Sequence, residues 1–233
     1  MAFASTCCPE GIGYAMSDKA TGPWTTKGYI MKPTERSRGN HPGIIDYKGD
    51  SYVFGLNYDL LHLETFNHKE RRSTSVAKMH YNPDGTIQEV PYWSDTKLEQ
   101  IEDFNPYRRV EAETMAWGYG LKTGDFEKGG LYVTDIDNDE YLCVRGVDFG
   151  TKGAKKFSVS AACVEKGGKI EIRLDKVDGP IVGSVSVSPT GGMDIYKLMS
   201  CRIKEAKGVH DLYFCFKGEK GEKLFNLDYW EFK

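Results

Sequence analysis

The chain has 233 residues, 39% hydrophobic and 28% charged, with a formal net charge of -3 and a pI near 6.0. That balance is ordinary for a folded chain with room for one large or two small domains, and it excludes disorder and collagen-like repeats. The slight acidity and the lack of any long Lys or Arg run argue against a nucleic-acid partner, and no apolar stretch approaches the roughly 18 residues of a membrane span.

The opening "MAFASTCCPEGIGYAMSD" has neither the charged start and apolar run nor the cleavage site of a secretion signal. Ile12, Tyr14 and Met16 alternate with small residues and predict a strand, which the turn residues of "SDKATGPW" end. The expectation is a chain that takes up a fold already under way. "GIIDYKGDSYVFGLNYD" sets two apolar runs about Lys-Gly-Asp, and "RSTSVAKMHYNPDGTIQEV" repeats the device about Asn-Pro-Asp-Gly; both predict hairpins. Four or five strands in residues 1–93 cannot cover both faces of a sheet, so Ile44, Tyr52 and Phe54 are expected to lie open. The polar, Pro-bearing stretch 94–106 reads as a linker.

From residue 107 the strand pattern restarts as "VEAETMAW", "EYLCVRGVDF", "KKFSVSAACV", "KIEIRL", "IVGSVSVS", "MDIYKLMSCRI", "VHDLYFCF" and "LFNLDYWEF". Short strands at such regular spacing predict an all-β sandwich. Ile170, Ile172 and Leu174 share one face of their run, as do Leu212, Phe214 and Phe216, which assigns both sets to the core. The six cysteines lack the short paired spacings of metal sites, and Cys143, Cys163, Cys201 and Cys215 fall inside strand runs, where a small buried hydrophobe is the simplest role.

"RVEAETMAWG", "GGKIEIRLD", "TGG", "GVHDLYFCFKG" and "LFNLDYWEF" together resemble carbohydrate-binding module family 6, a jelly-roll β-sandwich that binds xylan and related glycans. "GIGYAMSDKATGPW", "NHPGIIDYKGDSYVF" and "RRSTSVAKMHYNPDGTI" resemble the last part of a glycoside hydrolase family 43 domain, a five-bladed β-propeller. The resemblance implies a partial propeller of one to two blades over 1–93, a linker at 94–106 and a sugar-binding sandwich at 107–233. This pairing of domains is similar to that of arabinoxylan arabinofuranohydrolases, which implies either a sugar-binding part of a polysaccharide-degrading hydrolase or, once the missing blades are present, part of a working arabinofuranosidase or xylosidase; the family's members act outside the cell. In them the general acid and base lie upstream of the matched segments. Such hydrolysis needs both carboxyl groups, so no catalytic residue is expected here.

The resemblance also implies residue roles. His41 and Arg72 correspond to groups lining the hydrolase pocket. Asn226 and Tyr196 correspond to the amide and one of the two aromatic rings that hold the sugar. Asp135 stands where the second ring belongs; Tyr132 and Trp117 are the aromatic residues that could replace it. Met193 takes the place of an aromatic residue after "TGG". Glu111 and Glu113, two apart in a run read as a strand, correspond with Asp228 to a structural calcium site, for which hard carboxylate oxygens are the suitable donors. The expected partner is a xylan or arabinoxylan chain.

Overall fold

The computed structural model describes residues 2–4, 10–34, 40–57, 73–96 and 98–233. The chain divides into two compact units, Met1–Glu99 and Gln100–Lys233. Apart from one turn of 3-10 helix at Trp93–Asp95, the regular structure among the described residues is β.

The first unit holds two 3-stranded antiparallel sheets. One has the order β1 (Ala2–Ala4), β2 (Ile12–Met16), β3 (Thr25–Met31), and the other β4 (Gly43–Tyr47), β5 (Asp50–Asn57), β6 (Ser73–Met79). The β4–β5 hairpin closes as the sequence predicts: Tyr47 pairs with Asp50, and the two residues between them, Lys48 (φ 51°) and Gly49 (φ 87°), both take positive φ. That is the turn whose twist matches the flanking strands. The second hairpin is narrower than expected. Gly85 N–H donates to Asn82 C=O at 2.9 Å to close the turn, but beyond it the return pairing is a single bridge, Tyr81 with Ile87. Ile12, Ile30, Met31, Val53, Met79, Tyr92 and Trp93 make this unit's core. Ile44 and Phe54 are each 38% exposed, whereas Tyr52, expected to lie open, is buried at 5%.

The second unit is a jelly-roll sandwich. One sheet is 5-stranded, ordered β14 (Ile181–Val187), β13 (Gly168–Leu174), β16 (Val209–Lys217), β11 (Tyr141–Asp148), β8 (Trp117–Tyr119). The other is 6-stranded, ordered β15 (Gly192–Arg202), β12 (Lys156–Cys163), β17 (Asn226–Phe232), β10 (Leu131–Thr134), β9 (Lys122–Asp125), with β7 (Val110–Glu111) also on β17. The alternation read from sequence holds: Ile170, Ile172, Leu174, Leu212, Phe214 and Phe216 are all buried between the sheets. Phe214 meets Trp230 edge-on at 5.3 Å and Phe157 at 5.0 Å, and such ring pairs add about 0.5–1.5 kcal/mol each beyond area burial. Cys143, Cys163 and Cys215 are buried free thiols, and Cys201 is partly buried.

The dividing line falls inside the stretch 94–106. Phe104 N–H donates to Gly146 C=O at 2.7 Å, Asp148 N–H to Phe104 C=O at 2.9 Å, and Phe232 N–H to Pro106 C=O at 3.0 Å. Residues 100–106 are thus a strap on the sandwich, and Tyr92 and Trp93 belong to the first unit's core. The run "VEAETMAW" is not one strand. β7 ends at Glu111, the chain turns with Thr114 N–H on Glu111 C=O at 3.0 Å, and β8 begins at Trp117 in the other sheet. Glu111 and Glu113 therefore do not project from one strand face as their spacing suggests.

Candidate functional site

The irregular end of β15 builds the site. Against β12, Lys197 pairs with Ala161 but Gly192 with Cys163, so Met193–Tyr196 bulge out of the ladder. A bulge re-aims side chains that a regular strand would alternate. Its base is fixed by Thr190, whose hydroxyl accepts from Cys163 N–H at 2.8 Å and lies 2.9 Å from Cys163 C=O. The next residue, Gly191, adopts φ 108°, which a side chain rarely tolerates, and this explains the glycine of "TGG".

The β9–β10 hairpin faces this bulge. Its turn is held by Phe126 N–H on Gly130 C=O at 3.0 Å. Gly124 lies beneath the Tyr132 ring; a Cβ there would come within 2.4 Å of Tyr132 Cζ, so the glycine lets the ring lie across β9. Phe126, Tyr132 and Tyr196 then form one cluster, with centroids 4.9 Å apart for Phe126 and Tyr132, 5.4 Å for Phe126 and Tyr196, and 6.3 Å for Tyr132 and Tyr196. They line a cleft of about 510 Å³ that Asp125, Asp194 and Met193 also border. The Tyr196 hydroxyl is buried with no hydrogen-bond partner, and burial pushes its pKa far up. The Asn226 amide pulls that pKa the other way, but the two groups do not meet hydrogen-bond geometry, so the hydroxyl counts as unsatisfied.

Asn226 is close to these rings yet turned inward. Its Oδ1 accepts from Thr134 Oγ1 at 2.8 Å and its Nδ2 donates to Met193 C=O at 3.0 Å, leaving it 4% exposed. It fixes the bulge that carries Tyr196. Asp135, at φ 56°, is bridged by Lys122 at 3.0 Å and by Lys223, and these two cations, Lys223 foremost, hold its carboxyl below the usual range. An ion-pair bridge therefore stands where the resemblance puts an aromatic ring. Phe126 escaped the sequence reading because "KTGDFEKGGLYVT" is polar and short and shows no alternation; its paired glycines were the available sign of a hairpin.

Trp117 does not reach the cleft. It lies on β8 of the 5-stranded sheet, 49% exposed beside Tyr119 at 60%. Tyr119 stacks on Tyr141 at 5.7 Å and 16°, and Tyr141 meets Tyr213 at 6.0 Å, a second run of rings on that sheet. Burial, followed by the Cys143 thiol, raises the Tyr213 pKa to about 12.

The three acidic residues assigned to calcium lie near β7 and β17. Arg109 donates to Glu111 Oε1 at 2.8 Å and Oε2 at 3.0 Å, reaches Asp228 Oδ1 at 3.3 Å, and lies 3.9 Å over the Tyr229 ring. Asp228 Oδ2 accepts from Ser160 Oγ at 3.2 Å; burial raises its pKa, opposed by Arg109 and then Ser160. Glu113 Oε2 is buried without a partner. Among the described residues no three His, Cys, Asp or Glu side chains converge as a metal cluster.

In the first unit, His41 is exposed just ahead of β4. Its neighbour Asn40 is the buried residue: its N–H donates to Glu10 Oε2 at 2.7 Å, and its Oδ1 accepts from Leu56 N–H at 3.3 Å. Arg72 lies outside the described residues.

Residues 111–233 match the family described as carbohydrate binding module (family 6). The chain is 38% identical over 234 residues to an arabinoxylan arabinofuranohydrolase of Paenibacillus polymyxa, covering 96% of this chain and 36% of that protein. It is 37% identical over 239 residues to one of Bacillus subtilis, covering 96% of this chain and 45% of that one. It superposes on a crystal structure of a glycoside hydrolase family 43 arabinoxylan arabinofuranohydrolase from Bacillus subtilis with TM-score 0.87 and 34% identity, over 98% of this chain and 49% of that chain. A family 6 module from Clostridium cellulolyticum in complex with xylose matches with TM-score 0.53 and 36% identity, over 56% of this chain and 99% of that one. The chain thus spans less than half the length of the arabinofuranohydrolases it resembles. The sandwich, its jelly-roll order and the sequence match agree, and the chain belongs to carbohydrate-binding module family 6.

Proposed function

We propose that the sandwich holds xylan-type chains in the cleft of Phe126, Tyr132 and Tyr196, as the binding portion of an arabinoxylan-degrading hydrolase that works outside the cell. The observation that carries this reading is a three-ring cluster bordered by Asp125 and Asp194. Sugars present C–H faces to rings and hydroxyls to polar rims, which is the composition of this cleft. The names of the relatives, arabinoxylan arabinofuranohydrolase and a module in complex with xylose, support the same class of ligand. Release of arabinose or xylose from the polymer is the proposed activity of the longer hydrolase, which would need the acid and base carried by segments beyond those matched here.

Calcium is part of the proposal. Glu111, Glu113 and Asp228 offer only hard oxygen donors, and Glu113 Oε2 is a buried acceptor that no donor satisfies; the three carboxylates do not converge in this conformation, so a bound cation would have to draw them together. Bound Ca²⁺ would neutralise those carboxylates in place of the Arg109 guanidinium.

The test is titration of xylohexaose into the full chain. Tyr196→Ala should abolish measurable heat, since it removes one of the three rings that wall the cleft. Unchanged affinity would move the site to the exposed Trp117, Tyr119 and Tyr141 face and overturn the cleft assignment.

A further inference from the structure

Lysines far apart in sequence meet at the end of the sandwich opposite the cleft. Arg202 of β15 is the cross-strand partner of Lys156 of β12. On the other side of Lys156, its N–H donates to Lys233 C=O and Lys233 N–H donates back to Lys156 C=O, both at 2.8 Å. Arg202, Lys156 and Lys233 therefore stand abreast across three neighbouring strands, about 5 Å apart. The segments beside them are zipped together by Ile203 N–H on Lys155 C=O at 2.9 Å and Ala154 N–H on Ala206 C=O at 3.1 Å, which brings in Lys152, Lys155, Lys204 and Lys207. All seven cationic residues are exposed.

Like charges directly opposite on a sheet destabilise it, and little compensates them here. Lys233 pairs with Glu231 at 2.8 Å. Among the described residues, the other six make no ion pair. The nearby acids, Asp148, Asp175 and Glu205, make no ion pair with these cations and are outnumbered by them. Seven exposed cations against Asp148, Asp175, Glu205 and Glu231 leave a local positive excess on a chain of net charge -3, which points to an anionic ligand at this end.

We propose that this end of the sandwich binds the carboxylates of an acidic polysaccharide, one carrying uronic-acid residues along a neutral backbone. The sugar part rests on the carbohydrate reading above; the charge requirement stands on the patch. A dense polyphosphate fits less well. Sites for single-stranded nucleic acid interleave cations with stacking rings, and residues 150–156 and 202–207 contain no aromatic residue. A sparsely charged glycan places few negative charges near the acidic remainder of the surface, while Arg202 offers the forked donors that suit a carboxylate. The patch lies about 23 Å along β12 from the cleft, the length of an eight-residue strand, so the two surfaces are separate sites.

The experiment compares binding of the full chain to a glucuronoxylan and to the same polymer after carboxyl reduction, at low and at high salt. The acidic form should bind at least about tenfold more tightly at low salt, and salt should erase the difference by screening. K156E/R202E should lose that tenfold, at about fivefold per charge or more, while xylohexaose binding stays as in the parent chain. K156Q/R202Q, checked by thermal unfolding, separates loss of charge from loss of fold. Equal binding of the acidic and carboxyl-reduced polymers would overturn the proposal. So would duplex DNA binding as tightly as the acidic polymer. If Tyr196→Ala abolishes xylohexaose binding and uronate-dependent binding persists, the patch stands as a site of its own. If uronate dependence is absent while xylohexaose still needs Tyr196, the patch fails and the cleft survives.

Discussion

Replacing Tyr196 by Phe separates what this residue does for folding from what it does for a ligand. Its hydroxyl is buried without a partner, so folding strips it of water and returns no hydrogen bond. Such a group costs about 1–3 kcal/mol. Tyr196 is only partly buried as a whole, so the low end applies, and Tyr196→Phe should stabilise the sandwich by about 1 kcal/mol. For a unit of this size that is a rise of about 3–5 °C in Tm. The ring contacts with Phe126 and Tyr132 are kept, so packing does not change. Because that hydroxyl has no contact with solvent, a ligand in the cleft meets the ring and not the O–H, and the same variant should bind xylohexaose within about twofold of the parent. Differential scanning calorimetry gives the first quantity and isothermal titration the second. A Tm that falls in Tyr196→Phe would show that the hydroxyl is bonded in the folded protein, to Asn226 as its nearest amide, and would refute the argument.

Three further outcomes follow from named contacts. Gly167→Ala should lower stability by about 2 kcal/mol in urea unfolding, because the residue sits at φ 69° and a Cβ would lie 1.9 Å from the fixed Val187 carbonyl oxygen; a neutral result would mean this turn relaxes freely. Calcium titrated into chelator-treated protein should raise Tm, by an amount equivalent to about 2.7 kcal/mol at 100 times the Kd, and Glu113→Gln should remove the rise; a Tm indifferent to calcium in the parent chain would dismiss the site. Burial raises the Asp228 pKa above its ordinary 3.8, so the folded state holds more protons than the unfolded one above that pH, and the residue's contribution falls as pH rises from 3.8 through the folded value. Asp228→Asn, measured in chelator, should remove that decline, and a stability curve parallel to the parent's across the window would contradict the assignment.

The sequence by itself determined the sandwich and its two faces. Alternation at Ile170, Ile172, Leu174 and at Leu212, Phe214, Phe216 follows from the two-residue period of a strand, which is a local property. So does the β4–β5 turn, where Lys48 and Gly49 supply the two positive φ values. Only the tertiary structure decided the site. The bulge at Met193–Tyr196 depends on register against β12, and Phe126 and Tyr132 wall the cleft together because Gly124 leaves room for the Tyr132 ring across β9. Asn226 has the residue type for sugar contact, yet its amide is taken by Thr134 and Met193, partners 92 and 33 positions away. Of the two aromatic residues that could replace the second ring, Tyr132 reaches the cleft, whereas Trp117 lies on the other sheet because the chain turns after Glu111 and changes layers. The cation row was invisible in a sequence without a basic run, since Lys156, Arg202 and Lys233 are neighbours only through the pairing of three strands. Periodicity along one strand is written in adjacent residues, whereas register, bulges and cross-strand neighbours are set by the packing of distant ones, which is where this protein's binding chemistry is assembled.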